Sequence, residues 1–175
     1  MLPLRLLLSS ALAGLWVAAA LAQASQQQDA GRAMPTIAGW TETVAFPDHD
    51  IALDAKLDTG ADSSSLGVTG LDRFKRQGKI WYRFTLTGAN GKTATIEQQT
   101  NRTARIMRAE VEDTRRPIVR LKICLAGHVA ETDFTLTDRS AQRSDVLIGR
   151  RFLTSRILVD SGRTHLFPKP CESGK

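Results

Sequence analysis

The chain has 175 residues, 42% of them hydrophobic and 24% charged, with a formal net charge of +6 at pH 7. This length suits one folded core and is too short for two. The basic residues are dispersed along the chain instead of clustered, so the composition disfavours a nucleic-acid-binding protein.

Residues 1–22 have the pattern of a secretory signal peptide. Arg5 precedes an apolar run, and small residues at Ala20 and Ala22 lead into a polar stretch. We expect cleavage after Ala22, which removes one Arg and no acid and so leaves a net charge of +5. The predicted location is the periplasm or the cell exterior. An uncleaved membrane anchor is the alternative, and it would be the chain's contact with a membrane.

Residues 23–35 are rich in Gln, Ala and Ser, lack apolar periodicity and predict a disordered linker. Residues 36–168 predict one mainly β domain, and residues 169–175 a C-terminal tail. Asn90-Gly91 marks a hairpin turn because this pair readily adopts positive φ. A short helix is predicted at 151–155. The strand patterns lie at 37–46, 51–57, 80–86, 93–99, 104–111, 118–125, 129–136, 146–148 and 157–160.

The most informative stretch follows the second predicted strand, where Leu57 leads into Asp58-Thr59-Gly60 and then into small and hydroxyl residues. An enzyme that activates water with paired carboxylates needs each one on a tight, rigid turn, and Gly60 permits backbone crowding there. The Thr59 hydroxyl can brace the turn. The same residues occur in ordinary β-turns, so the motif needs further support.

A second motif, Leu147-Ile148-Gly149-Arg150, stands before the predicted helix. With the Asp-Thr-Gly turn, it makes the chain resemble the retropepsin-like aspartic peptidases, where two apolar residues and Gly thread beneath the catalytic loop. The resemblance implies a closed β-barrel, equivalent to one acid-protease half, with one short helix near the C-terminus. It implies Asp58 as the catalytic residue. The residues implied as supports of its loop are Thr59, Gly60, Ala61, Asp62 and Arg150.

The resemblance also predicts an ion pair between the two motifs. In retroviral members the Arg after this Gly pairs with an acid four residues past the catalytic Asp, which here is Asp62. We therefore expect Arg150 to bind Asp62 and Arg151 to face solvent. If the pair is partly buried, losing one partner would cost roughly 3–5 kcal/mol. The alternative is that both arginines are solvated and Asp62 caps a turn.

A narrower resemblance covers nearly all of the chain after the leader. It is to a bacterial family often labelled ATP-dependent zinc peptidases and grouped with the retropepsin-like enzymes. The chain departs from that family at Asp62, where a basic residue is more usual, and at Ser161, where Pro often follows the Val-Asp pair. The segments that carry the resemblance are Gly39-Trp40, Pro47-Asp48, 57–66, 147–150 and Leu158-Val159-Asp160.

The residues support neither half of that label. No His-Glu-x-x-His motif is present, and His49, His128 and His165 lie far apart with no ligand spacing. Residues 88–92 are too short for a nucleotide phosphate loop and lack its hydroxyl residue. We predict no metal and no other cofactor.

A site of two carboxylates requires a second chain, because the sequence contains one Asp-Thr-Gly motif. A twofold homodimer would supply one Asp58 from each subunit. Two such carboxylates share one proton, so one activates water while the other polarises the scissile carbonyl.

The expected function is therefore a periplasmic or secreted aspartic endopeptidase acting on a peptide or protein substrate. One alternative is a non-catalytic periplasmic domain that binds peptides or serves as a scaffold. Another is a hydrolase of isopeptide or glutamyl bonds, which rests on the association of the bacterial relatives with amino-acid ligases.

Retropepsins close a β-hairpin flap over the substrate, and the order of elements places it here at 104–118. Arg108, Arg115 and Arg116 lie near its predicted tip and are candidate substrate contacts. They could steer an acidic substrate, although charge runs are more often solvated faces.

Cys124 and Cys171 are the two cysteines of the chain. In an oxidising compartment the pair suggests one disulfide that ties the tail to the hairpin at 119–136. A buried free thiol with a loose tail Cys is the alternative. Cysteine–histidine catalysis is disfavoured, because nothing near Cys124 resembles the setting of a nucleophile.

Overall fold

The computed structural model describes residues 34–108 and 111–171, without the side chains of 106–108 and 111–114. The predicted signal peptide, nearly all of the predicted linker and the end of the tail lie outside the described residues. No helix in the described part is long and apolar enough to cross a bilayer. The elements are β1 (Thr36–Phe46), a 3-10 turn (Pro47–His49), β2 (Ile51–Leu57), β3 (Ser64–Gly67), β4 (Thr69–Arg76), β5 (Lys79–Thr87), β6 (Thr93–Gln99), β7 (Thr103–Arg108), β8 (Val111–Leu125), β9 (His128–Thr137), β10 (Val146–Ile148), α1 (Arg150–Leu153) and β11 (Ile157–Thr164).

Six strands close into a barrel. The large sheet has the order β11-β1-β2-β10-β3-β9-β8-β7, and pairing of Val44 and Ala45 in β1 with Leu125 and Cys124 in β8 completes the circle. Alternate strand side chains, among them Phe46 and Phe134, point inward and form one buried cluster, which Phe152 of α1 joins. The predicted fold class, a closed β-barrel with a short helix near the C-terminus, is confirmed.

Strand β2 shows how the alternation sets up a polar outer face. Its buried residues are Ile51, Leu53, Ala55 and Leu57, and the residues between them are exposed. Because successive side chains of a strand point to opposite faces, Asp54 and Lys56 lie outside the barrel, and the residue after Leu57 continues that outer row. The alternation therefore delivers Asp58 to the outside, directly beyond Lys56.

A second, three-stranded sheet has the order β4-β5-β6. Phe84, Leu86 and Ile96 on its inner face are buried in the same apolar cluster. On the outer face, the Arg76 guanidinium lies 4.9 Å from the centre of the Trp81 ring. The predicted hairpin between β5 and β6 is confirmed, and Gly91 supplies the positive φ of its turn, at 78°.

Some element bounds differ from those expected. The predicted strand at 104–111 belongs to two strands, because β7 ends at Arg108, β8 begins at Val111 and the two pair antiparallel. The helix covers Arg150–Leu153 instead of 151–155, and β11 extends to Thr164. β3 and β4 were not predicted, because β3 is a short Ser-rich strand and β4 is almost wholly exposed.

The first strand also holds the end of the chain. The buried Glu42 carboxylate accepts hydrogen bonds from the backbone N–H groups of Gly39, Leu166 and Phe167, at 2.7, 3.0 and 3.1 Å. A Cβ at Gly39 would stand 2.5 Å from the Arg163 carbonyl oxygen, so only Gly allows β1 and β11 to approach this closely. The segment after β11 is thus fixed to β1.

Candidate active site

Asp58 lies just beyond the end of β2, with 25% of its side chain exposed. Its Oδ1 accepts a hydrogen bond from the Gly60 N–H at 2.9 Å, and its Oδ2 accepts one from the Lys56 ammonium at 3.2 Å. The carboxylate is therefore oriented by its own turn and by the preceding outward-facing residue of the strand. With both contacts made, one side of the Asp58 carboxylate remains open to solvent.

The surroundings favour the ionised form of Asp58. Partial burial is the largest influence and would raise its pKa, but it is outweighed by the Lys56 ammonium and by the N–H groups of Gly60 and Ala61. The net effect lowers the pKa below the ordinary value of an aspartate. A single copy of this chain therefore presents Asp58 as a base.

The second motif lies directly beneath the Asp58 turn. β10 runs between β2 and β3, and the Ile148 carbonyl accepts the Asp58 N–H at 2.9 Å. The Gly149 N–H donates to the buried Ser64 hydroxyl at 3.1 Å. A Cβ at Gly149 would stand 2.6 Å from the Ser63 carbonyl carbon and oxygen, so any side chain there would collide with backbone. The two motifs are joined as the sequence predicts.

Arg150 supports the turn through backbone carbonyls. One of its guanidinium nitrogens, Nη1, donates to the carbonyl oxygens of Thr59 and Gly60 at 3.1 and 3.0 Å. Its backbone N–H also donates to the Ala61 carbonyl, at 2.8 Å. Three consecutive residues of the turn are therefore tied to the first residue of α1.

The expected ion pair between Arg150 and Asp62 is present but long, and Asp62 has a second, closer partner in Arg151. Arg150 Nη2 stands 3.9 Å from Asp62, too far for a direct hydrogen bond, whereas Arg151 Nη2 is 2.7 Å from the same carboxylate. Arg151 faces solvent as expected, with 61% of its side chain exposed, but it also binds Asp62, because both arginines begin α1 and the Thr59 and Gly60 carbonyls occupy Arg150. Asp62 and Arg151 are both more than half exposed. Exposed ion pairs contribute little to stability, so the cost of roughly 3–5 kcal/mol expected for losing a partner of a partly buried pair does not apply here.

Thr59 does not brace the turn with its hydroxyl in the single chain. The side chain is exposed and forms no hydrogen bond with any other described residue, so its contribution is the carbonyl that binds Arg150. Gly60 contributes the N–H that orients Asp58, and a Cβ there would stand 3.2 Å from Asp58 Oδ1. Ala61 supplies both a carbonyl and an N–H to the turn.

A positively charged cavity of about 450 Å³ is connected to Asp58 through Lys56, which lines the cavity and binds the Asp58 carboxylate. Trp40, Lys56, Arg139 and Arg143 line it, and none of its described lining residues is acidic. Burial is the main cause that lowers the pKa of Arg139, repulsion from Arg116 adds to it, and attraction to Asp145 and Asp58 opposes it. These cations were not predicted as site residues. Lys56 could have been found from its spacing of two before Asp58 on a strand, but Arg139 and Arg143 come from a distant loop.

Two of the arginines predicted near the flap tip, Arg115 and Arg116, lie in different surroundings. β7 and β8 form an antiparallel hairpin, and Arg115 pairs with Arg105 across it. Arg116, which is half-buried, is close enough to Arg139 to influence that residue's pKa. The side chain of Arg108 is not among those that the structure describes. Among the described residues, no group of three acidic, His or Cys side chains is arranged to hold a metal ion.

Comparisons with known proteins agree with this geometry. Residues 37–170 match the model of a family described as retropepsin-like aspartic endopeptidase RimB. Two relatives, each named probable alpha-L-glutamate ligase, come from Shewanella halifaxensis (strain HAW-EB4) and Shewanella pealeana (strain ATCC 700345 / ANG-SQ1). They are 31% and 30% identical over 128 residues, which are 71% of this chain. The matched region is only 28% of the length of each relative.

A solved structure is similar over most of the chain. It is that of Lpg0085 from Legionella pneumophila subsp. pneumophila str. Philadelphia 1, a protein described as having unknown function. The TM-score is 0.60 and the identity 28%, over 75% of this chain and 97% of that one. With the family match spanning the barrel and both motifs, the chain belongs to the RimB-like family of retropepsin-like aspartic endopeptidases.

Proposed function

We propose that this chain is an aspartic endopeptidase in which two copies each contribute one Asp58. The observation that carries the proposal is the Asp58 carboxylate, which stands open at the end of β2 on a turn held by Gly60, Gly149 and Arg150. A general base must be fixed in place and accessible, and Asp58 meets both conditions. Family membership adds support for a hydrolase.

In the proposed reaction the two Asp58 carboxylates share one proton, because both cannot ionise easily at short separation. The ionised member takes a proton from water, whose oxygen attacks the scissile carbonyl carbon. The protonated member gives its proton to the carbonyl oxygen. The Asp58 that took the proton from water then gives it to the amide nitrogen, and the other Asp58 takes a proton from one hydroxyl as the carbonyl re-forms. The C–N bond breaks and releases a carboxylic acid and an amine.

Two further features belong to the same proposal. The β7–β8 hairpin acts as the flap, which is supported by its position before the β8–β9 hairpin and by the proximity of Arg116 to Arg139. Export to the periplasm or the exterior is supported by the composition of residues 1–22. Neither feature is needed for the chemistry at Asp58.

The decisive experiment replaces Asp58 with Asn, which keeps the shape of the side chain and removes the base. We expect cleavage of a peptide library to fall by at least about a thousandfold while the melting temperature stays within about 3 °C. Asp54→Asn is the matched control, because Asp54 is another outward aspartate of β2, and it should retain activity. Full activity in the Asp58→Asn protein would disprove the aspartic-peptidase mechanism.

The two-copy requirement can be tested separately by mixing. An excess of inactive Asp58→Asn chains added to wild-type chains should trap them in mixed dimers and lower the activity per wild-type chain. The expected loss follows the fraction of wild-type chains that have a wild-type partner. Activity that stays constant on mixing, in a preparation that sediments as a monomer, would show that one chain suffices.

A second candidate concerns the substrate, and the basic cavity favours it. We propose that the scissile bond lies next to an acidic residue, so that the substrate carboxylate enters the cavity beside Lys56 and Arg143. The relatives' name, alpha-L-glutamate ligase, is consistent with glutamyl or isopeptide bonds as targets. This specificity rests on the geometry of the same site and would replace general peptide cleavage.

Paired substrates test the specificity. Peptides that differ only in Glu or Gln beside the scissile bond should show a several-fold preference for Glu, which weakens at high salt. Arg143→Gln should reduce the preference, because it removes one exposed cation of the cavity. Arg73→Gln, the same change on the outer sheet, is the matched control. Equal rates for Glu and Gln peptides would exclude an acidic specificity without touching the role of Asp58.

A further inference from the structure

We propose that Cys124 and Cys171 form a disulfide that fastens the C-terminal segment to the end of the barrel. The proposal does not depend on peptidase activity. Cys124 is fully buried at the end of β8, whereas Cys171 is exposed, and both are thiols in the structure. They are the two cysteines of the chain, and the fold brings them together from distant positions.

The residue before Cys171 contacts the Cys124 thiol. The Pro170 carbonyl oxygen accepts a hydrogen bond from the Cys124 thiol at 3.0 Å and another from the Gly127 N–H at 2.9 Å. Gly127 and Ala126, both with positive φ, form the tight turn between β8 and β9. Pro170 is therefore held on both sides of this turn, and the next side chain along, Cys171, is delivered to the Cys124 thiol.

The same segment is anchored further upstream. The buried Glu42 carboxylate binds the N–H groups of Leu166 and Phe167, and the Phe167 side chain packs against the apolar core. Only three residues separate this anchor from Cys171. The segment is thus fixed at both ends before any covalent bond forms, so bond formation orders little additional chain.

The chemistry of the two thiols gives them different roles. Burial, reinforced by a hydrogen bond with the Cys171 side chain, raises the pKa of Cys124 to about 12, so this thiol is a poor first nucleophile. The exposed Cys171 is the one that reacts first. Its thiolate attacks one sulfur of a disulfide-bearing oxidant, such as a dithiol–disulfide oxidoreductase, and displaces the other sulfur as a thiolate.

The second step closes the bond within the chain. Cys124 gives up its proton and attacks Cys171 Sγ of the mixed disulfide, which releases the oxidant's remaining sulfur as a thiolate. In total the two protein thiols lose two protons and two electrons, and the oxidant becomes a dithiol. The exchange needs no movement of the barrel, because the residue before Cys171 already contacts the Cys124 thiol.

The test uses the full chain, incubated under native conditions with oxidised glutathione and then blocked with an alkylating reagent. We expect a product about 2 Da lighter than the reduced chain, with no free thiol and with one linked peptide pair containing Cys124 and Cys171. Reduction should lower the melting temperature by about 5–15 °C. Cys171→Ser is the matched variant, since an exposed Ser there should not disturb folding, and reduction should leave its melting temperature unchanged.

Two results would overturn the proposal. One is a chain that keeps two alkylatable thiols after oxidation. The other is a chain that stops at glutathione attached to Cys171, which would mean that the Cys124 thiol does not reach it. Either result would stand whatever the peptidase assays show.

Discussion

Asp58 and Asp133 are both aspartates beside cations, but their surroundings differ in kind. Asp133, on β9, is held by two guanidinium groups: Arg102 binds both of its oxygens, at 3.0 and 2.5 Å, and Arg120 binds Oδ1 at 2.9 Å. These contacts hold its pKa far below the ordinary range of an aspartate. Asp58 has one ammonium and the N–H groups of its own turn, and its pKa is lowered as well.

The difference shows that the carboxylate with the more strongly perturbed pKa is not the more accessible one. Paired guanidinium groups occupy both oxygens of Asp133, which leaves little room for water or substrate. The turn around Asp58 fixes the direction of the carboxylate and leaves an open side. Perturbed pKa values cluster at functional sites, yet structural ion pairs perturb them too, and accessibility separates the two cases.

The largest expected effect comes from the support of Asp58. Gly149→Ala places a Cβ 2.6 Å from the Ser63 backbone, so the turn or β10 must shift. We expect a loss of about 2–3 kcal/mol in the free energy of unfolding and more than tenfold in kcat/KM. Urea unfolding and peptide cleavage measure these. Gly162→Ala, where the nearest atom is a side-chain oxygen at 3.3 Å, should be nearly neutral, and equal effects of the two changes would contradict this account.

The Asp133 site should contribute to stability and not to cleavage. Asp133→Asn removes the partner of two guanidinium groups and should cost about 1–2 kcal/mol at pH 7, with kcat/KM within twofold. Because the folded pKa is depressed, the wild-type advantage is present above the unfolded pKa of about 3.9 and is lost as pH falls towards the folded value. Urea unfolding from pH 7 to pH 3 should show the gap narrowing below about pH 4. A gap independent of pH would mean that the ion pairs are not its cause.

Substitutions of Arg150 and Arg151 should have smaller effects on kcat/KM, and the two effects should differ. Arg150→Ala removes the donor shared by the Thr59 and Gly60 carbonyls, so we expect a three- to tenfold loss in kcat/KM, which corresponds to about 1 kcal/mol. Arg151→Ala breaks an exposed ion pair with Asp62 and should change kcat/KM by less than about twofold. Steady-state kinetics on one peptide compares them. A larger loss in Arg151→Ala than in Arg150→Ala would mean that the Arg151–Asp62 ion pair, and not the carbonyl contacts of Arg150, is the main support of the turn.

The smallest effect is a shift in the pH profile. Lys56→Met removes the cation whose hydrogen bond and charge help to lower the pKa of Asp58. The pKa should rise, so the alkaline limb of kcat/KM should move to higher pH. Lys56→Arg should restore the original profile, and Lys92→Met, which removes the ion-pair partner of Asp50, should not move it. An unmoved limb in Lys56→Met would mean that the ammonium does not act on the catalytic proton.

The sequence predicts the barrel because its strands alternate strongly. In β2 every second residue is apolar and buried, and the Asp58 turn follows at a fixed phase. β3 lacks such a signal: Ser64 is buried as a hydrogen-bonding partner for Gly149 and not for its apolarity. β4 is exposed along nearly all its length and exists through pairing with β5, which is a tertiary effect.

The site was predictable to the extent that its residues are adjacent in sequence. Asp58 and Gly60 belong to one turn, and Gly149 and Arg150 carry a recognisable spacing. Arg151 is the closer partner of Asp62 because the Thr59 and Gly60 carbonyls occupy the Arg150 guanidinium, and no sequence pattern encodes that. Arg139 reaches the cavity lined by Lys56 from a loop after β9, so only the folded chain reveals it.

Strand β8 runs without interruption from the hairpin into the wall of the barrel. Its first part pairs with β7 and its second part with β9, and the exchange of partners occurs between Pro117 and Ile118. Arg102 and Arg120 flank that point, and Asp133 binds both. If the hairpin moves over a substrate, β8 must therefore bend near this point, where the Asp133 ion pairs hold its base. The ion pairs at this base, and not the distant tip, would then set the stiffness of the hairpin and its rate of opening.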